Sequence, residues 1–240
     1  MKTAIITGAS KGIGRALAQY YADHGWNLTI NGGHDKAALR STTEELTRIT
    51  NVESVFGDIS LEATSTQLVD QTLRRYGQID LLINNAGISH IGLLSDMTAE
   101  DWHQIMQTNL DSVFFTSRAV IPHMVHRHQG KILNISSVWG EVGASCEAAY
   151  SASKGAINAL TKALAKELAP SRISVNAISF GIIDTNMNRC FSTEEREALA
   201  MEVPFGRFAT PEEAATFCYQ ITESPDYLTG QVIRFDGGWI

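Results

Sequence analysis

The sequence predicts an α/β protein: one doubly wound domain over residues 1–240, a seven-stranded parallel sheet with helices on both faces. Two observations predict it. Short apolar or β-branched runs alternate with longer helix-forming stretches from end to end, with no linker, repeat or low-complexity break. The first run passes directly into a glycine-rich turn and a helical pattern, the order that places phosphate at a helix N-terminus in dinucleotide-binding (Rossmann) folds. With 240 residues, 44% of them hydrophobic, the chain is long enough to bury one sizeable core.

Residues 3–7 form the first strand, and Gly8-Ala-Ser-Lys-Gly12-Ile-Gly14 leads into a helix ending near His24. Small residues let the backbone approach a pyrophosphate, and the helix supplies free N–H groups. The strand over 27–31 ends in Gly32-Gly33-His34. Dinucleotide folds place an acidic residue about here to grip the ribose 2′-hydroxyl, but Asp35 comes too late. Lys11, His34 and Lys36 would instead meet a 2′-phosphate with positive charge. The expected cofactor is therefore NADP(H) in preference to NAD(H); the plainer reading is a Gly-Gly turn beside a solvated Lys11. After a helix over 36–50, the strand 52–56 ends at Gly57-Asp58-Ile59. Asp58 there either accepts from an adenine amino group or caps the helix over 61–76. The apolar strand 80–83 ends in Asn84-Asn85-Ala86-Gly87, small enough for a ligand to lie against the backbone.

Thr98 and Asp101 suit a capping box at the start of a long helix over 101–127, which Pro122 should bend. Its apolar stripe reads as core or subunit contact. Asn109 falls mid-helix, where its propensity is poor, and so marks either function or exposure. His123, His126 and His128 cluster near the helix end, but no carboxylate or Cys stands at ligand spacing, so no metal is expected. The strand 130–136 delivers Ser137. On the helix that follows, Tyr150 and Lys154 share one face. An ammonium beside a phenol favours phenolate and moves it toward the range of a general acid; taken alone, such a pair is usually solvated surface. The strand 172–179 is followed by a weakly periodic stretch, expected as a substrate lid over about 181–205. Thr210-Pro-Glu-Glu213 opens another helix, and 231–235 is the last strand. The ligand crevice of such a sheet lies at the strands' carboxyl ends, where every flagged residue falls except the helix-borne Asn109, Tyr150 and Lys154.

A net charge of −7 argues against nucleic acid or an anionic membrane as partner. No run approaches 18 apolar residues, and the N-terminal apolar run is too short for a signal peptide, so a cytoplasmic location is expected. Cys146, Cys190 and Cys218 are odd in number and far apart, as free thiols in a reducing compartment would be.

Together, Thr7-Gly-x-x-x-Gly-x-Gly14, Asn84-Asn-Ala-Gly87, Asn109, Ser137 and Tyr150-x-x-x-Lys154 resemble the short-chain dehydrogenase/reductase family over essentially the whole chain. The tail Tyr227-Leu-Thr-Gly-Gln-Val-Ile-Arg-Phe-Asp-Gly-Gly, the segment Gly206-Arg-Phe-Ala-Thr-Pro-Glu-Glu and the stretch from Ser137 to Glu147 are similar to bacterial 3-oxoacyl-acyl-carrier-protein reductases. The resemblance implies hydride transfer to a carbonyl carbon, with Tyr150 as proton donor and Ser137 holding the carbonyl oxygen. Lys154 would bind the nicotinamide ribose and lower the Tyr150 pKa, and Asn109 would hold a water linking Lys154 to solvent. Gly8, Ser10, Lys11, Gly12, Ile13, Gly14, His34, Asp58, Ile59, Asn85, Ala86, Gly87, Ile183 and Thr185 would line the cofactor. The implied substrate is a 3-oxoacyl thioester on acyl-carrier protein or CoA, with Arg127 and Arg172 as candidates for capturing an acidic carrier. The alternatives are another alcohol, sugar or ketone, or a dinucleotide-binding regulator without catalysis. The family also implies a homo-oligomer, a tetramer or dimer. Phe180 stands where the family carries proline, and its ring could narrow the pocket.

Overall fold

The computed structural model describes residues 1–187 and 191–240. Its seven strands are β1 (Thr3–Ile6), β2 (Asn27–Gly32), β3 (Val52–Phe56), β4 (Leu81–Asn84), β5 (Gly130–Ser137), β6 (Ile173–Phe180) and β7 (Val232–Phe235). All pair parallel, in the order β3-β2-β1-β4-β5-β6-β7. The order reverses beside β1, where Ala4 pairs with Leu28 across to β2 on one side and with Leu81 on β4 on the other. The connections leaving β1 and β4 part at this point and open a crevice at the strands' carboxyl ends.

Alternation along the strands builds two cores. Ala4, Ile6, Leu28, Ile30, Leu81 and Ile83 face the layer holding α1 (Gly12–Asp23) and α9 (Pro211–Glu223). Ile5, Leu82, Ile132 and Val175 face the opposite layer of α3 (Glu62–Tyr76), α5 (Ser112–Arg127) and α7 (Ala148–Leu168). Strands buried on both faces read as continuous apolar runs, which explains 81–83. A buried polar ladder crosses that second layer. Thr116 on α5 donates to Asn84 (2.6 Å), Asn84 to Asn134 (2.9 Å), and Asn134 to Thr161 on α7 (2.9 Å). Each of these side chains is 3% exposed or less, so the two helices are fixed to the sheet by bonds that water cannot replace.

The remaining helices are α2 (Lys36–Leu46), α4 (Ala99–Met106), α6 (Trp139–Val142) and α8 (Thr193–Glu202). The helix expected over 101–127 is two. The Thr98–Asp101 capping box opens α4, and a π-type turn at Gln107–Asp111, containing Asn109, separates it from α5. Pro122 lies inside α5, so the break comes from the widened turn and not from proline. Asp58 does not cap α3. Leu61 occupies the N-cap without a side-chain bond, and Asp58 accepts instead from the Ser60 N–H at 2.9 Å. In the stretch expected as a lid, Ser192 and Glu195 form a capping box that makes α8 a regular helix. Cys190 lies outside the described residues, Cys218 is buried and Cys146 is partly buried. Among the described residues no helix is long and apolar enough to cross a membrane, and no group of His, Cys, Asp or Glu could hold a metal ion.

The amino ends of the strands, opposite the crevice, are tied by Asp80, whose carboxylate is 8% exposed. It accepts from the Thr3 N–H (2.8 Å), Gln78 (2.9 Å) and Arg127 (3.1 Å). Arg172 also sits at this end, just before β6. Neither arginine borders the crevice, so the carrier-capture role expected of them fails on position. Removing Asp80 leaves a largely buried guanidinium and a backbone donor without their acceptor. Asp80→Ala should therefore lower the unfolding free energy by about 3 kcal/mol in a denaturant titration.

Candidate active site

The glycine turn and the turn after β4 are braced by Thr7 and Asn85. The Thr7 hydroxyl accepts from both Asn85 N–H and Ala86 N–H at 3.0 Å. The Asn85 amide donates back to the carbonyls of Thr7 (2.9 Å) and Gly8 (3.2 Å). No side chain fits between them: a Cβ on Gly8 would lie 2.8 Å from the Ala86 Cα, and one on Gly14 would strike the Gly8 carbonyl. Gly8 (φ 66°) and Gly12 (φ 58°) also take left-handed backbone that disfavours a side chain.

This brace forms the floor of a cleft of about 650 Å³. All the residues flagged for the cofactor line it: Gly8, Ser10, Lys11, Gly12, Ile13 and Gly14; His34, Asp58 and Ile59; Asn85, Ala86 and Gly87; Ile183 and Thr185. Ser137, Tyr150 and Lys154 line the same cleft, and Asn109 lies behind its wall. Lys11 and His34 border its outer end, with the Lys11 amine 3.9 Å from Asp35. Asp35 is the N-cap of α2, accepting from the Ala38 N–H. Lys36 does not join them; its amine lies over the Phe56 ring, 5.8 Å from the centroid.

At the inner end, Lys154 is 4% exposed and its ammonium donates to the Ile135 carbonyl at 2.8 Å. The same ammonium lies 5.6 Å from the Tyr150 ring centroid. Ser137 lies close enough to Tyr150 to favour its phenolate, and the Ser137 oxygen accepts from the Trp139 N–H at 3.2 Å. Asn109 is fully buried. Its amide donates to the Ile88 carbonyl (2.9 Å) and to Ser153 (3.0 Å) and accepts from the Ile88 N–H (2.8 Å). The wide turn thus brings Asn109 against the chain just after Gly87 and against α7 one residue before Lys154.

The electrostatics differ from the expectation that Lys154 lowers the Tyr150 pKa. Burial dominates both groups. It pushes the Tyr150 phenol up to about 12, with Ser137 opposing the shift and the Glu147 charge adding to it, and it pulls Lys154 down to about 8. The phenol is held as a proton donor at neutral pH.

The same cleft has a lining that sequence reasoning missed. Trp139 and Trp239 line it with ring centroids 4.7 Å apart, together with Ile91, Met187 and Phe191. Glu147 lines it too, besides Asp35 and Asp58. It occupies the N-cap of α7 without a capping bond, and burial holds its carboxyl above the usual range, with Trp139 opposing the shift. Its place one helical turn before Tyr150 was the available signal. Phe180 borders the cleft but is 3% exposed, edge-on to Phe235 at 5.8 Å, and belongs chiefly to the core.

A parallel sheet with a glycine-floored cleft at its switch point, and a tyrosine, a lysine and a serine at the inner end, defines a dinucleotide-linked oxidoreductase. Residues 2–196 match the short chain dehydrogenase family model, and the chain belongs to that family. It is 38% identical over 241 residues to the uncharacterized oxidoreductase YmfI of Bacillus subtilis (strain 168), covering 99% of this chain and 98% of the other. It is also similar to 3-oxoacyl-acyl-carrier-protein reductases named FabG. The identity is 38% with that of Chlamydia muridarum, over 99% of this chain and 96% of the other, and 36% with that of Thermotoga maritima, over 100% and 98%.

The depressed Lys154 carries a stability signature. Between its folded value near 8 and its unfolded value near 10.5 the unfolded chain binds more proton, so stability rises with pH through that window. Wild-type stability relative to Lys154→Met should therefore rise by about 2 kcal/mol between pH 7 and pH 10, read as paired urea titrations of the cofactor-free proteins.

Proposed function

We propose that the protein is an NADPH-dependent carbonyl reductase. The observation that carries this reading is the Tyr150 phenol, kept protonated by burial and lining one cleft with Ser137, Lys154 and the glycine turn. The cleft suits a dinucleotide. A Cβ at Gly12 would project across it to within 3.6 Å of the Thr185 methyl, and the free N–H groups of α1 face the same floor. When bound, the nicotinamide would supply a hydride to the carbonyl carbon. Tyr150 would give its proton to the oxygen as the C=O π bond breaks, so that one hydride and one proton yield the alcohol. Ser137 would hold that oxygen. Lys154 would stabilise the phenolate left on Tyr150 and bind the ribose, while Asn109 fixes the Gly87–Ile88 backbone beside it. Residues 181–187 and 191–205, with α8, would form the substrate lid; 188–190 lie outside the described residues. The exposed Phe114 on α5 and the free edge of β7 support a homo-oligomer.

Relatives named 3-oxoacyl-acyl-carrier-protein reductase along the full chain support a 3-oxoacyl thioester as substrate. A second reading, a different carbonyl compound, is favoured by the carboxylate of Glu147 inside the pocket and by Arg127 and Arg172 lying at the amino end of the sheet. Measuring kcat/KM for 3-oxoacyl thioesters against simple ketones decides between them. In either case Tyr150→Phe should lose about 10²–10⁴ in kcat while still quenching on NADPH binding. Equal turnover by the two proteins would remove Tyr150 from the acid role.

The preference for NADPH rests on Lys11. Its ion pair with Asp35 is long and half exposed, worth at most about 1 kcal/mol, so the amine is free to turn to a 2′-phosphate. Lys11→Ala should cut kcat/KM for NADPH by about tenfold and leave NADH within about threefold. Wild-type protein that uses NADH as well as NADPH would overturn the charge argument.

A further inference from the structure

Glu147 is a partly buried carboxylate with no assigned work. In α2, α4, α8 and α9 the N-cap side chain, Asp35, Thr98, Ser192 or Thr210, accepts from its own helix. Glu147 holds the same position on α7 and makes no such bond. Its carboxylate borders the cleft beside Tyr150, where the Trp139 indole favours the charged form. The charges near it are otherwise satisfied. Lys154 on α7 is bonded to Ile135, and Arg234 on β7 pairs with Glu141 on α6 at 2.8 Å. Asp236 takes the Gly238 and Ile240 N–H groups at 3.0 and 3.2 Å, which secures the turn carrying Trp239. Among the described residues Glu147 thus carries the cost of partial burial with no counter-charge. Two indole rings 4.7 Å apart line the same cleft, and indole faces attract cations.

We propose that Glu147, Trp139 and Trp239 form a recognition pocket for a protonated amine, so that the carbonyl substrate carries an ammonium group. This rests on the reading of the cleft as a carbonyl reductase. The ammonium supplies the counter-charge that the carboxylate lacks, and the indoles cover its alkyl flanks. An acidic carrier or an anionic substrate meets repulsion at the same place.

The test compares 4-aminobutan-2-one, 4-hydroxybutan-2-one and pentan-2-one with NADPH, in wild type, Glu147→Gln and Glu147→Asp. Each protein is first checked for unchanged NADP+ binding. Wild type should favour the ammonium ketone over both neutral ones by about tenfold or more in kcat/KM. In Glu147→Gln that ratio should fall below about threefold, with Glu147→Asp restoring part of it. A wild type that turns over the neutral ketones equally well, or a ratio unchanged in Glu147→Gln, overturns the proposal. Calorimetric titration of propylammonium chloride into the NADP+-saturated proteins reads the pocket without turnover. Binding to wild type, weakened about tenfold in Glu147→Gln, supports the pocket even if no ketone is reduced, in which case the carbonyl-reductase reading alone falls. Absence of binding to wild type refutes the pocket.

Discussion

The Lys154 ammonium exchanges bulk water for one carbonyl, that of Ile135, 2.8 Å away at the end of β5. A lone buried cation is costly, and only a wall that cannot relax will keep it in place. Much of the inner layer acts as that wall. The Thr116–Asn84–Asn134–Thr161 ladder fixes α5 and α7 to β4 and β5, and Ser136 reaches the Lys154 carbonyl from the sheet side. On the other side Gly140 of α6 comes so close that a Cβ there would lie 2.6 Å from the Lys154 carbonyl carbon. The amine keeps its place because three elements close on the same turn of helix.

The two ends of the cleft are built on different physics. The cofactor end is backbone: glycines in left-handed conformation, N–H groups at a helix start, and a brace of Thr7 and Asn85 that fixes two turns against each other. The substrate end is side chain: two tryptophans, Glu147, and loop residues after β4 and β6. Backbone geometry tolerates few sequences, whereas a side-chain lining can be exchanged without disturbing the sheet. The family and the dinucleotide class are therefore well defined by the first end, and the substrate is written in the second.

The sheet and its order of elements were legible because period-2 apolar runs and glycine turns are local signals. The glycine turn, Asn85–Gly87, Ser137 and the Tyr150–Lys154 pair were legible for the same reason, since each sits at a strand end or on one helix face. What escaped was set by distance in sequence. Trp239 meets Trp139 only through the return of the C-terminal turn, and Glu147 had no signal beyond its place one helical turn before Tyr150. The direction of the Tyr150 pKa was misread because spacing reveals the neighbouring cation but not the burial that outweighs it. Arg127 and Arg172 were misplaced although each stands just before a strand, which sets it at the amino end of the sheet and away from the crevice. Phe180 was misjudged because Phe235, its packing partner, lies on the next strand.

The widened turn at Gln107–Asp111 has a consequence for how this chain can vary. A π-type turn holds one residue more than the helix around it requires. Loss of a single codon from that stretch would let α4 and α5 fuse into one regular helix. The join would be energetically comfortable, yet every residue before it would swing by about 100° relative to those after it. Asn109 could not then face Ile88 and Ser153 while Thr116 still faces Asn84. Point substitutions can drift through this helix, but its length is locked to the pocket it serves.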